Sequence, residues 1–307
     1  MDKQSFSRYG GIVIVVIILS MMIAFATPFG SFVVNGVKNV LGNFNSTGGN
    51  AMDNDYGDIV DFPYPGTGSG SDGGSGSGGG SGVNPDLPAG GEVNAETGEI
   101  LDSWEVIINN VNNGTYATKY KVGDYKPFDL GEQGVVNMQI VAFDTDVLSD
   151  DTGKARITWI AKELLPTKHT MNEMSTNANG WAESEMRDYL QTEVWALIPT
   201  DIQNAIVAVD KTYYDKTTNS TLSCEDKVWI PSCREIFGTT EISGVHYMQF
   251  FTNRPPRRKT INGIIQAWWL RSADVEYSSG FYCVDSNGDS YFDYADGAAG
   301  VALSFCF

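Results

Sequence analysis

With 307 residues the chain is long enough for one or two domains with a real core. Its 38 Asp and Glu against 20 Lys and Arg leave a formal charge of -18, which repels phosphate backbones and argues against a nucleic-acid partner. The four cysteines, Cys224, Cys233, Cys283 and Cys306, are too few and too irregular for a disulfide scaffold, and no CxxC pair is present to hold zinc.

Lys3 and Arg8 precede an apolar run from Gly10 to Ala26, at the lower edge of what spans a bilayer. The positive-inside rule then places the bulk of the chain outside the membrane, at the cell surface. Ala24-Phe25-Ala26 has the pattern of a signal-peptidase site. Beyond Pro28, however, Val33, Val37, Val40, Leu41 and Phe44 recur at helical spacing, which a cleaved leader does not need. Residues 1–44 therefore read as a retained membrane anchor or a pilin-like assembly helix. Residues 45–100, centred on the Gly/Ser tract from Gly66 to Gly82, lack the apolar groups to offset ordering entropy and read as a flexible acidic tether. About 55 such residues reach on the order of 40 Å.

The globular part, 101–307, opens with an amphipathic helix at Ser103, whose face carries Trp104, Ile107, Ile108 and Val111 and which Asn113-Gly114 ends. Strands are expected from Val135 and from Arg156, joined by an acidic, Gly-containing loop. Helices follow at about Trp181 to Trp195 and Pro199 to Ile206, then a strand in VAVDKTYY, and a short strand leading into a helix at Ser232. Near the end, Trp268, Trp269 and Arg271 head a segment in which Asn287-Gly288 predicts a two-residue hairpin turn, with Phe281 and Val284 facing in and Tyr282, Cys283 and Asp285 at or near the surface. Val301, Leu303 and Phe305 alternate as a final strand. Between Ala273 and Ala299 there is no Lys, Arg, Gln, Met, Trp, Leu or Ile.

The WWLRS block, the VDSNG turn, the GVALSFCF ending, the run Ser184, Glu185, Met186, Arg187 with Leu190, and DKVWIPSCREIFG from Asp226 resemble C-type-lectin-like variable proteins of gut Firmicutes and their phages, targets of diversity-generating retroelements. The resemblance covers roughly Ser103 to Phe307. It implies an α+β, C-type-lectin-like head behind the N-terminal helix and tether. It also implies that adenine-directed mutagenesis of AAY codons sets the restricted alphabet of a variable region at about 273–299, with Glu276 as the exception. Trp268, Trp269 and Arg271 are then scaffold, Arg271 pairing with an internal carboxylate or carbonyls. The implied ligand-binding face comprises Asp274, Tyr277, Ser278, Ser279, Tyr282, Cys283, Asp285, Asp289, Tyr291, Phe292, Asp293, Tyr294, Asp296 and Ala298. Tyrosines among small polar residues combine large amphipathic area with adaptable contacts.

Rival chemistry is thin. Asp285, Asn287, Asp289, Asp293 and Asp296 match oxygen-donor positions of an EF-hand-like calcium loop, but Ser290 stands where that loop needs glycine and no flanking helix is expected. The Glu-Pro-Asn, Gln-Pro-Asp and Trp-Asn-Asp signatures of sugar-binding C-type lectins are missing, as is the close cysteine pair of formylglycine-generating enzymes. His169 and His246 fall in no nucleophile or metal pattern. The basic run Arg254 to Lys259 reads as an exposed, solvated loop. The expected protein is a surface-displayed, non-enzymatic binder of adhesin or receptor type, without cofactor or resident metal, joined to the membrane by its N-terminal helix. Its partner would be a protein or glycan on another cell, phage or host surface. A structural pilin-like subunit with a fixed head, and a calcium-dependent module on the Asp285 to Asp296 loop, are the alternatives.

Overall fold

The computed structural model describes residues 83–238 and 247–307. The expected anchor over 1–44, most of the tether and His246 lie outside the described residues. Residues 83–100, assigned to the tether from composition, are mostly exposed but are tied to the domain at several points. Val93 bridges to Ile100, which is fully buried, and the Asp102 carboxylate accepts from the Gly91 N–H at 2.5 Å and the Tyr120 hydroxyl at 2.7 Å. Polar residues without periodicity hide this docking, because it rests on the Asp102 carboxylate, the Asn84–Asn109 pair and backbone bonds of Gly98 and Ile100 to Tyr125.

Helix α1 (Trp104–Asn112) opens at Ser103, whose hydroxyl accepts from the Val106 N–H at 3.3 Å. It buries Val106, Ile107 and Val111. A single turn, α2 (Tyr116–Lys119), leads to strands β1 (Tyr125–Asp129), β2 (Val135–Phe143) and β3 (Ile157–Ala161). Helix α3 (Glu185–Tyr189), capped by the Ser184 hydroxyl, passes through a π turn at Leu190–Val194 into α4 (Trp195–Leu197), and α5 (Thr200–Ala205) follows Pro199. Strands β4 (Val209–Asp215), β5 (Ser220–Asp226) and β6 (Val228–Trp229) precede α6 (Cys233–Phe237) and α7 (Gln249–Thr252). The last strands are β7 (Lys259–Ile261), β8 (Ile264–Gln266), β9 (Trp268–Ala273), β10 (Gly280–Val284), β11 (Ser290–Tyr294) and β12 (Ser304–Cys306).

These elements make a β-rich domain with few, short helices, which corrects the α+β, C-type-lectin-like head expected from the resemblance. Among the described residues the longest regular helix has nine residues. The helix expected from Trp181 starts only at Glu185, because Trp181 is fully buried with its indole N–H on the Asp226 carboxylate at 2.6 Å, and Ser184 caps three residues later. The π turn then interrupts it, turning both Leu190 and Val194 inward. Among the described residues no helix is long and apolar enough to cross a membrane.

The main sheet runs β1-β2-β3-β12-β6, with every pairing antiparallel. The C-terminal strand inserts between β3 and β6, placing Phe305 opposite Trp159. Trp104, Phe128, Trp159, Phe305 and Phe307 close around this point. The Trp104–Trp159 ring centroids lie 5.2 Å apart edge-on and Phe128–Phe305 5.5 Å apart, geometries that add to simple burial. A second, three-stranded sheet runs β11-β10-β9, and β9 is buried along its whole length. Trp269, Ala273, Phe281 and Cys283 enter the main core, while Trp268, Leu270 and Val284 enter a smaller cluster with Ile160, Ile236 and Phe251. Core therefore covers both faces at β9 and β10, and β11 stands at the outer edge.

Candidate functional site

The frame beneath the edge strand is ionic. Arg271 on β9 grips the Glu235 carboxylate of α6 with both terminal nitrogens, Nη1 to Oε2 and Nη2 to Oε1, the latter at 2.9 Å, and also donates to the Ile230 carbonyl at 3.1 Å. Lys211 of β4 lies 3.3 Å from Glu235 and 2.5 Å from Asp146, its ammonium 3.8 Å from the Trp229 ring centroid. Burial by itself raises a carboxyl, but the charges of Arg271 and Lys211 outweigh it and hold Glu235 down at about 2. Glu235 is placed by its helix: the Ser232 hydroxyl accepts from the Glu235 N–H at 3.2 Å, the Glu235 carboxylate accepts from the Ser232 N–H at 2.7 Å, and Gly238 closes the helix at φ +73°. Two cations and two carboxylates thus tie β4, α6 and β9 to the loop after β2. The tryptophans beside it are also anchored, Trp268 Nε1 donating to the Arg257 carbonyl at 3.0 Å and Trp269 Nε1 to the His169 carbonyl at 2.8 Å.

The loop between β9 and β10 hangs on one residue. Asn177 is fully buried, and its side-chain amide faces the carbonyls of Asp274 at 3.0 Å, Tyr277 at 2.9 Å and Gly280 at 2.8 Å, while its own N–H donates to the Ser278 carbonyl at 2.9 Å. From the other side Lys216 donates to the Val275 and Glu276 carbonyls. Asp274 folds inward: its carboxylate accepts from the N–H groups of Glu276 at 2.7 Å and Tyr277 at 3.0 Å. With the backbone held by framework side chains, the loop's shape does not depend on what Tyr277 and Ser278 carry outward.

Beyond the loop, β10 and β11 form a hairpin with Cys283 opposite Tyr291 and Tyr282 opposite Phe292. The turn differs from the expected two-residue type. Asp285 accepts from the Gly288 N–H at 3.0 Å, and Asp285 and Asp289 pair across a three-residue connection in which Gly288 takes φ +91°. The Asp285 side chain closes this turn, accepting from the N–H groups of Asn287 at 2.8 Å and Asp289 at 2.9 Å; those bonds hold its carboxyl below the ordinary range. Tyr277, Tyr291 and Tyr294 are 61%, 63% and 57% exposed, and half-buried Phe292 lies between Tyr277 and Tyr294, at 6.0 and 5.9 Å between ring centroids. Asp293 keeps its carboxylate on the Tyr294 N–H at 2.8 Å.

The expected face divides. Tyr277, Ser278, Asp289, Tyr291, Tyr294, Asp296 and Ala298 are exposed, and Ser279, Tyr282, Asp285, Phe292 and Asp293 are half-buried. Asp274 and Cys283 are buried, and leave the face. Cys283 pairs with Trp269 in the core, and burial, followed by the charges of Asp293 and Asp285, pushes its thiol up to about 12. The outward reading of Cys283 assumed one covered sheet face, whereas β10 is covered on both. Gly280 is equally constrained, since a Cβ there would come 2.0 Å from the Asp293 carbonyl. The calcium arrangement is not assembled: Asp285 is taken up by its turn, Asp293 by the strand backbone, and among the described residues no group of three His, Cys, Asp or Glu converges on a metal-sized space. His169 stacks on Tyr189 at 4.2 Å with Nδ1 2.7 Å from the Thr170 carbonyl.

Asn177, Lys216 and Lys211 escaped the sequence reading. Lys211 had a signal, as a lone lysine in the alternating strand VAVDKTYY, whereas Asn177 in the loop NEMSTNANG had none. No curated protein and no solved structure matches the chain. Residues 153–306, half of the chain and the part that carries β9 to β11 and all of their ionic frame except Asp146, match the family described as Domain of unknown function (DUF6273), and the chain belongs to that family.

Proposed function

We propose that the chain is a surface-displayed, non-enzymatic binding protein. Its partner, a protein or glycan on another cell, phage or host surface, is gripped by Tyr277, Tyr291, Phe292 and Tyr294, and adenine-directed mutagenesis diversifies the exposed positions of 273–299. The observation that carries this reading is the contrast within one small sheet. Three tyrosines more than half exposed stand on a loop and an edge strand whose neighbours β9 and β10 are locked into core. Exposed aromatics around a half-buried ring have the chemistry of interface hot spots, offering large contact area at low entropic cost. Groups a nucleophilic mechanism would draw on are engaged elsewhere: burial first, then Asp146, lifts the Cys306 thiol well above its ordinary range, and the His169 ring is stacked and bonded. Surface display is supported by the apolar run from Gly10 to Ala26 behind Lys3 and Arg8.

The test is binding to arrays of glycans and of bacterial surface proteins by the wild-type chain and by Tyr291→Ala/Tyr294→Ala. The reading expects the double variant to lose at least tenfold in affinity for whatever the wild type captures, with Tm nearly unchanged. Undiminished binding by the double variant would overturn it.

A further inference from the structure

On a chain of formal charge -18, one groove is lined with cations and with no acidic side chain. It encloses about 200 Å³ between β2, β3, α7 and the loop leading into β7. Lys162, Arg257, Arg258 and Lys259 supply the charge, while Phe250 and Pro256 belong to an apolar wall. This is the basic run Arg254 to Lys259, which sequence alone gives as a solvated loop.

The four cations differ in what they already hold. Lys259 is buried, donating to the carbonyls of Ala161 and Lys162, and Arg257 donates to the Ile236 carbonyl at 3.0 Å and lies over the Phe237 ring at 4.6 Å. These two shape the groove. Lys162 is half-buried with its ammonium 3.6 Å from the Tyr125 ring centroid, an aromatic contact that leaves it able to donate hydrogen bonds. Arg258 is exposed, its stem beside Gly288. Of the four cations only Lys259 is buried, and holding such a charge among other cations is costly unless an anion joins them. Lys259 registers that cost: burial lowers its ammonium to about 8, the Glu163 carboxylate opposing this and the Lys162 charge adding a smaller lowering.

We propose that this groove is a binding site for a small organic oxyanion, a phosphate or sulfate ester, whose anionic head meets Lys162 and Arg258 and whose ring lies on Phe250 and Pro256. A planar guanidinium and an ammonium suit the several oxygens of such a head, and the apolar wall favours an ester over the bare anion. The site is separate from the tyrosine face and does not rest on it.

Calorimetric titration of the full chain with phenyl phosphate, phenyl sulfate, inorganic phosphate and phenol tests this. The expected result is saturable binding of the two esters, weaker binding of inorganic phosphate, and none of phenol. Lys162→Gln and Arg258→Gln should each weaken the esters roughly tenfold, as loss of a charge-assisted contact does. Arg254→Gln, outside the groove, should leave binding unchanged, and added sodium chloride should weaken it. No saturable heat with the wild type at about 10 mM ester, a millimolar-range floor, would overturn the proposal without reference to any variant. So would inorganic phosphate binding as well as phenyl phosphate, or equal losses in Arg254→Gln and Arg258→Gln.

Discussion

The side-chain amide of Asn177 meets the carbonyl of Gly280 at 2.8 Å, 103 residues away in sequence, and holds the start of β10 against a loop that otherwise faces solvent. The same amide reaches Asp274 and Tyr277, so one framework residue sets both ends of the segment that presents Tyr277. Replacing Asn177 with Ala takes the amide donor from the Asp274 and Tyr277 carbonyls and leaves the Gly280 carbonyl with only the Asp274 N–H at 3.2 Å. The expected loss is about 2 kcal/mol, read as a shift in the urea midpoint at constant m; Asn177→Asp, which keeps the shape but supplies no amide donor, should lose at least as much. A change below about 0.5 kcal/mol in both would mean that the loop is held by other contacts.

Arg271 and Glu235 are both buried, so removing either leaves the other's charge without its main partner. Arg271→Met and Glu235→Gln should each cost about 3–5 kcal/mol, and their double variant less than the sum.

That pair also predicts a pH dependence. The folded Glu235 carboxyl titrates near 2 against an ordinary 4.5, so between these values the unfolded chain binds more protons than the folded one. The contribution is therefore fully present above about 4.5 and lost as the pH falls through about 2. Stability measured against urea should fall with pH across this window in the wild type, and Glu235→Gln should flatten that slope. An unaltered slope would remove Glu235 as its source.

All four thiols should resist alkylation in the native protein. Cys233, Cys283 and Cys306 are buried, and burial pushes the half-buried Cys224 up to about 12, with Asp226 adding to it. Iodoacetamide at pH 8 should add nothing before guanidinium is present and four groups afterwards, as read by mass spectrometry. Prompt native labelling of Cys283 would put it back on the surface.

Much of the local structure was legible because caps and periodicity act over a few residues. Ser103 opens α1, Ser232 opens α6, and β2 begins at Val135. The fold class was not, since short capped helices and a π turn leave the same apolar pattern as longer helices do. The candidate face was legible in its tyrosines but not in Asp274 or Cys283, whose burial follows from core on both sides of β10, a tertiary fact without a sequence period. Asn177 lay beyond reach for a related reason: its partners are backbone carbonyls about a hundred residues downstream, and such carbonyls carry no residue type to recognise.

The proposed fixed frame with a replaceable face would be visible in codons 177 and 268–307 of this gene, sequenced across a natural population. Substitutions are expected to concentrate at 277, 278, 289, 291, 294, 296 and 298, at codons bearing adenine in a nearby near-copy, with Asn177, Arg271, Gly280, Phe281 and Val284 unchanged. An invariant face, or variation spread evenly over buried and exposed positions, would contradict it.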